Sequence, residues 1–430
     1  MSGKKVLIIT GNPARTDTNT GKTICALFEG FPRDELAQLY FSPERPAAGL
    51  CGTYYQICEK QIIKSAMGLI PGRCGGETDA AETSAQLRRP ETNALALTKR
   101  KNQTYMRILR ECVWKFSFWR GRALSQWLDK VRPEVIFTFL LDTIAASDTV
   151  RRIAERRGIP VVLFITDDYY NDAELGGGPV RRLFYERKKA SVRAMSGCAV
   201  EVAGCSDSAA REFGELFSLP YEAIYTPAKK ELLAMPVREQ RGGERLTLRY
   251  FGNLGLGRKD TIIQIGNALR EINSGAVKAV LEVYSGLTDP EIISQLNIEN
   301  GCEFKGWVGG EDYIRALGSA DIVLHVESFA EDMIRRTRLS VSTKIADYLG
   351  AGKCVIAVGP AELASMEHLR GAACVVNRTE DIRAALEELI SAPEMRAGYQ
   401  LTARALALKS HDEAEIRRQM ADIIERAGGK

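Results

Sequence analysis

Short runs of aliphatic and β-branched residues recur from one end of the chain to the other, separated by stretches whose apolar residues repeat at helical spacing. A continuous apolar run of roughly 4–8 residues is what a strand covered on both faces requires, and parallel strands need a helical crossover between them. The alternation predicts an α/β fold, because only a parallel sheet with helices on both faces buries every such run. In the first half the expected strands are Val6–Thr10, Leu36–Tyr40, Val135–Phe139, Val161–Ile165 and Ala199–Ala203. In the second half they are Leu246–Phe251, Ala279–Tyr284, Cys302–Lys305, Ala320–His325, Cys354–Val358 and Ala373–Val376. Helical patterns such as Asp148–Arg157 and Ser206–Phe217 fill the gaps. The RRGIP sequence before Val161 reads as a helix end: basic last turn, glycine stop, proline entry to a strand.

A length of 430 residues suggests two to three domains at about 150 residues each. Composition shifts at PAKKELLAMPVREQRGGE, where two prolines, paired glycines and many charges read as a linker. The expected organisation is an N-terminal Rossmann-like domain over 1–228, a linker over 229–244 and a second such domain over 245–405. A C-terminal helix over 406–430 is expected to pack back on the first domain. Residues 72–102 have no apolar period and read as a long flexible loop, followed by a basic, aromatic helix near 104–130. The architecture expected is two doubly wound domains facing across a cleft, with ligands at the carboxyl ends of the strands.

Composition removes several classes. Lys plus Arg is 59 and Asp plus Glu is 55, a net charge of +4, which argues against an obligate nucleic-acid binder. No run of about 18 apolar residues occurs, and the N-terminus lacks a signal-peptide pattern, so a cytoplasmic location is expected. The ten cysteines form no CxxC pair and the three histidines are His325, His368 and His411, so no metal site is expected.

Three segments suit chemistry. TGNPARTDTNTGKTI follows the first strand and ends like a P-loop, but Thr16 stands where the first P-loop glycine belongs. It reads instead as a polar loop feeding a helix start at Thr20 or Gly21, with Asn19 beside it, whose free N–H groups suit an anion or a hydroxyl-rich ligand. In the second segment Gly252, Asn253, Gly255 and Gly257 make a turn between strand and helix, followed by Arg258 and Lys259. Two cations beside a turn that exposes its backbone suit a diphosphate, although surface solvation explains them as well. The third segment is the most informative. After the strand ending at His325, Ser342 and Thr343 offer an N-cap to a helix carrying Lys344 in its first turn and Asp347 one turn on. Such a helix start binds a phosphate, with Asp347 placed for the hydroxyls of a ribose.

FGNLG, EFKGWVGGEDYIRALGSADIVLHV and SVSTKIADYLGAGKCVIA resemble the donor half of GT-B-fold glycosyltransferases, nearest to family four of the retaining transferases in bacterial capsule and lipopolysaccharide clusters. That family's segment reads P-S-K-L-x-E-Y-x-A-x-G-K-P-V-I-A, and this chain matches it at Ser342 or Thr343, Lys344, Tyr348, Gly352, Lys353 and Val355 to Ala357. Asp347 replaces the family's ribose-binding Glu, Cys354 replaces its Pro, and Leu339 replaces the first Glu of a spaced pair. NTGKT, LFEGFP and LAQLYF in the N-terminal half resemble the same transferases. The resemblance implies transfer of a sugar from a nucleotide-diphosphate donor to a hydroxyl on a polyprenyl-linked or polysaccharide acceptor, with no metal or other cofactor. It implies donor contacts at Gly252, Asn253, Gly255, Arg258, Lys259, Ser342, Thr343, Lys344 and Asp347, and acceptor contacts at Asn19, Thr20, Gly21 and Thr166. A non-catalytic sugar-nucleotide- or glycan-binding subunit with the same fold is the alternative, and a sugar-nucleotide 2-epimerase is a weaker one.

VVLFITDDYYND places Thr166, Asp167 and Asp168 just past a strand end. The two aspartates suit an acceptor-orienting or basic role, with Lys344 as the third catalytic candidate, but they equally suit capping of the next segment. Lys99 to Arg122 holds eight basic residues against Glu111, interleaved with Trp114, Phe118 and Trp119 and followed by Trp127. This pattern suits an anionic membrane surface on the inner face of the cell membrane. A partly buried helix with a wet cationic face accounts for it too, and nucleic acid is not expected as a partner.

Overall fold

The buried runs become strands in the computed structural model, which describes residues 3–16, 18–47, 49–66, 75–80, 103–116, 121–171, 178–237, 239 and 245–429. Two units divide the chain: 3–224 with 416–429, and 225–415. The first break precedes the expected linker by a few residues, and the terminal helix Glu413–Gly428 belongs to the first unit from Ile416 on. Its Arg426 pairs there with Glu201 and, at 2.9 Å, with Glu222.

Among the described residues unit 1 carries an eight-stranded sheet, β1 (Val6–Thr10), β2 (Leu36–Tyr40), β3 (Thr53–Gln56), β4 (Gly76–Thr78), β5 (Val135–Phe139), β6 (Val161–Ile165), β7 (Ala199–Gly204) and β8 (Tyr221–Ala223). The spatial order is β4-β3-β2-β1-β5-β6-β7-β8. All pairs are parallel except β3 with β4. Every residue of β1, β2, β5 and β6 is buried, as strands covered on both faces must be. Phe137 packs edge-on against Phe28 at 4.9 Å and Phe139 against Phe164 at 5.2 Å, which fills the sheet-to-helix layer.

Unit 2 carries a six-stranded parallel sheet, β9 (Leu246–Phe251), β10 (Ala279–Tyr284), β11 (Cys302–Gly306), β12 (Ile322–Val326), β13 (Cys354–Val358) and β14 (Cys374–Val376). Its order, β11-β10-β9-β12-β13-β14, reverses direction between β9 and β12, and strand-end turns there open side by side.

The α/β expectation of two Rossmann-like sheets is what the molecule shows. Three strands escaped the sequence reading. β3, β4 and β8 are three or four residues long and sit at or next to a sheet edge, where no continuous apolar run is required. β4 corrects part of the expected 72–102 loop; residues 72–74 and 81–102 lie outside the described residues. The helix ends follow their chemistry. Gly158, at φ 65°, closes the Ile144–Arg157 helix, and Ser206 caps Asp207–Phe217 by accepting the Ala209 N–H at 3.0 Å.

Candidate functional site

In unit 2, β9 delivers the chain to the glycine turn. The Tyr250 hydroxyl donates to the Asn253 carbonyl at 2.9 Å, and the Gly255 N–H donates to Asn253 Oδ1 at 2.7 Å, so Asn253 closes the turn on both sides. Gly257 stands at φ 75°, and a Cβ there would lie 2.3 Å from Ser328 Oγ. Only glycine lets this turn pass so close to the segment after β12. The helix Arg258–Ile272 begins at once.

Arg258 and Lys259, expected to suit a diphosphate or to be merely solvated, both have partners within unit 2. Arg258 forms a fork on Glu327, Nε to Oε2 at 3.0 Å and Nη2 to Oε1 at 2.9 Å. Glu327 is 5 % exposed against 19 % for Arg258, so the anion is the more deeply buried of the two and the cation is largely buried beside it. Lys259 donates to Gln295 Oε1 at 3.2 Å and lies 3.5 Å from Asp260. Glu327 went unrecognised because it lies 69 residues from Arg258 in the chain. His325, at the end of β12, has Nε2 buried without a hydrogen-bond partner and 3.7 Å from Glu327 Oε1. Burial pulls its pKa down to about 4, with Arg258 adding to the fall and Glu327 opposing it.

Ser342 occupies the N-cap position of Thr343–Gly350, but its side chain makes no cap hydrogen bond. Lys344 is half-buried in the first turn. Asp347 accepts from the Tyr313 hydroxyl at 2.9 Å. Tyr313 stands edge-on to Phe251 at 5.1 Å, Phe251 stacks on Tyr284 at 5.1 Å, and Tyr348 donates to the Phe251 carbonyl at 3.3 Å. The end of β9 and the Thr343 helix are therefore locked together by rings, which brings Asp347 to the side of the glycine turn. Lys353, part of the matched family segment, is buried and donates to the Ala320 carbonyl at 3.1 Å, so its work is to hold neighbouring chain.

Unit 1 presents its own strand ends. The helix Asn19–Phe28 follows β1, and Thr18 Oγ1 accepts the Gly21 N–H at 3.3 Å. A Cβ on Gly21 would fall 2.5 Å from the Arg15 carbonyl, which is why this tight start needs glycine. Past β6, the Thr166 carbonyl accepts a Cys205 thiol contact at 3.4 Å. Asp168 is buried and turned into its own loop, accepting from the Asn171 backbone at 3.1 Å and side chain at 2.9 Å. Both carboxylate oxygens of Asp168 thus bond within its own loop, as a capping residue's would. Asp167 accepts from the Tyr169 hydroxyl at 3.4 Å and is half-buried.

Beside it lies a group the sequence reading missed. Lys188, buried on the Pro179–Ser196 helix, donates to Asp142 in the turn after β5. Its Nζ stands 5.6 Å from the Tyr169 ring centre and 5.7 Å from that of Tyr185. Arg107 reaches Asp142 Oδ2 at 3.7 Å and donates to the Tyr185 hydroxyl at 3.3 Å. Asp142 follows β5 much as Asp167 follows β6, which was the one local signal for it.

The described part of the basic aromatic segment turns its tryptophans inward. Trp114 and Trp127 are core residues, 4 % and 2 % exposed, and Trp127 donates to Thr53 Oγ1 at 3.0 Å. Arg107 pairs with Asp142, Arg110 with Glu59, and Glu111 accepts the Ile144 and Ala145 N–H groups at 3.1 and 2.9 Å. Burial raises the Glu111 pKa despite those bonds. These residues fasten the Gln103–Phe116 helix to its neighbours, because aromatics interleaved with arginines serve packing and ion pairing as readily as a lipid surface. Phe118 and Trp119 lie outside the described residues. Among the described residues no helix is long and apolar enough to cross a membrane, and no group of three His, Cys, Asp or Glu is placed to hold a metal ion.

Residues 277–422 match the model of a family described as glycosyl transferase-like. No curated protein matches the chain. Among solved structures the chain is similar to an α,α-trehalose-phosphate synthase (UDP-forming) from Burkholderia vietnamiensis, with TM-score 0.61, 9 % identity and coverage of 98 % of this chain and 100 % of that one. It is also similar to Anabaena HepE in complex with UDP, with TM-score 0.60, 14 % identity and coverage of 98 % and 100 %. HepE in complex with UDP-glucose gives TM-score 0.58 at 14 % identity, covering 98 % and 99 %. The fold is the GT-B type of these structures, and residues 277–422 are similar to the glycosyl transferase-like family model.

Proposed function

We propose that the protein is a glycosyltransferase whose unit 2 binds a nucleotide-diphosphate sugar and whose unit 1 binds a hydroxyl-bearing acceptor. The observation that carries the reading is the pairing of two helix starts at the ends of β9 and in the segment after β12. One is the glycine turn with Gly252, Asn253, Gly255 and the cation Arg258. The other is Ser342, Thr343 and Lys344, with Asp347 one turn on. Helix N-termini and cations together stabilise the charge that grows on a leaving diphosphate. Asp347 accepts hydrogen bonds only, which suits ribose hydroxyls. The match of residues 277–422 covers the Lys344 segment and supports the same assignment.

In this reading Lys344 acts on the leaving group, Asn19, Thr20, Gly21 and Thr166 contribute to the acceptor side, and Asp167 orients the acceptor hydroxyl. The reaction needs no metal ion, and the anomeric configuration is retained. The acceptor is a polyprenyl-linked or polysaccharide glycan of the capsule or lipopolysaccharide type, met by a cytoplasmic enzyme at an anionic membrane surface. Exposed Tyr105, Leu109 and Lys115 on the Gln103–Phe116 helix support that last element. Sedimentation with vesicles of anionic and neutral lipid tests it, and binding indifferent to lipid charge and to salt contradicts it.

The whole reading is tested by nucleoside diphosphate release from a panel of nucleotide sugars, with and without chelator. Chelator-insensitive release supports it. Nucleotide-sugar binding without turnover under any acceptor condition favours the binding-subunit alternative instead.

A further inference from the structure

We infer that Asp142, clamped by Lys188 and Arg107, is the residue of unit 1 that receives the hydroxyls of a sugar ring. The inference rests on the transferase reading for calling that sugar the acceptor. The clamp itself is a feature of unit 1 alone. Lys188 is 2 % exposed while Asp142 keeps 36 % of its side chain open, so the pair buries its cation and presents its anion. A buried lysine is tolerated only when its charge is met, and here Asp142 and two tyrosine rings meet it. The two carboxylate oxygens have separate anchors, Oδ1 on Lys188 and Oδ2 on Arg107, which fixes the plane of the group. A carboxylate held this way has lone pairs to spare after its hydrogen bond to Lys188, and vicinal hydroxyls are the donors that match it.

Placement adds a second argument. β1, β5 and β6 are neighbours in the sheet and all run the same way, so the helix start at Asn19 and the turns holding Asp142 and Asp167 follow strand ends at one edge. The Tyr169 that donates to Asp167 is the same residue whose ring lies by Lys188. Asp167 and Asp142 are thus joined through one tyrosine and one lysine. The ligand class is a neutral pyranose.

The test uses glucose, galactose, mannose and N-acetylglucosamine as probes in saturation-transfer NMR on the full chain, with UDP-induced thermal shift measured on the same samples. Asp142→Asn should weaken the responding sugar at least tenfold while leaving the UDP shift unchanged. Because that change strands a buried lysine, the double variant Asp142→Asn with Lys188→Met removes both charges and should fold while still losing the sugar. Asp142→Glu should recover part of the response. Unaltered sugar binding in a folded double variant overturns the inference, and so does a wild-type protein that binds none of the four. A sugar response without any UDP shift leaves the Asp142 site standing and defeats the donor assignment instead.

Discussion

The two units fix charge at their strand ends in opposite ways. In unit 2 the pair Arg258–Glu327 buries the carboxylate more deeply and leaves the guanidinium the more exposed of the two. In unit 1 the pair Lys188–Asp142 buries the ammonium and leaves the carboxylate outward. The same device, a buried ion with a more exposed partner, gives a donor-rich edge in one unit and an acceptor-rich edge in the other. A diphosphate seeks the first and a hydroxylated ring the second. In the proposed reading, matching sheet architecture sets where ligands approach, and the sign of the more exposed group sets which ligand approaches.

The comparison is most exposed to failure at Glu327. Truncation by Glu327→Ala removes the carboxylate that forks on Arg258 and that also neighbours His325. A loss of about 3–5 kcal/mol of stability is expected by denaturant titration. A loss below about 1 kcal/mol would mean that Arg258 is held by water rather than by the fork.

Acid separates the units next, because unit 2 holds all three histidines. Burial pulls His368 down to about 3, with His411 lowering it further, and pulls His411 down to about 4. The rings share a 2.9 Å contact between their Nε2 atoms, His368 stacks on Tyr225 at 4.2 Å, and His411 Nδ1 lies 2.7 Å from the Thr226 carbonyl. With folded values below 6.5, the unfolded chain binds more protons than the folded one in that interval, so stability rises with pH there and is lost as pH falls. Holding a histidine neutral down to pH 4 withdraws on the order of 3 kcal/mol between pH 6.5 and 4. Far-ultraviolet melts with hydrogen exchange should show unit 2 loosening first. Simultaneous loss in unit 1 would contradict this.

Lys344→Ala is expected to lower turnover on the order of 100-fold, about 2.7 kcal/mol, with the fold kept. Near wild-type rates would remove the cation from the donor edge of the comparison. The smallest effect belongs to unit 1's scaffold. Ser206→Ala should cost about 1 kcal/mol of stability through the lost cap at Ala209, without changing nucleotide binding. A changed UDP affinity in that variant would contradict the separation of roles.

Legibility followed the range of the interaction. The interior strands could be read because full burial demands an unbroken apolar run, as in Val6–Thr10 and Cys354–Val358. The turns at Gly257 and Gly21 were legible because steric demand on one backbone position selects glycine locally. Glu327 and Lys188 were not, since each acts on a partner far along the chain and no spacing records it. The burial of Trp114 was left open for a related reason: a helix stripe rich in aromatics and cations looks alike whether lipid or protein covers it.

The central claim is that unit 2 alone receives the nucleotide. Amide hydrogen exchange with and without saturating UDP tests it most directly. Protection confined to residues 252–260 and 342–348, with the turns after β1, β5 and β6 unchanged, is the result predicted. Protection at Asn19, Asp142 and Asp167 with none in unit 2 would contradict the account.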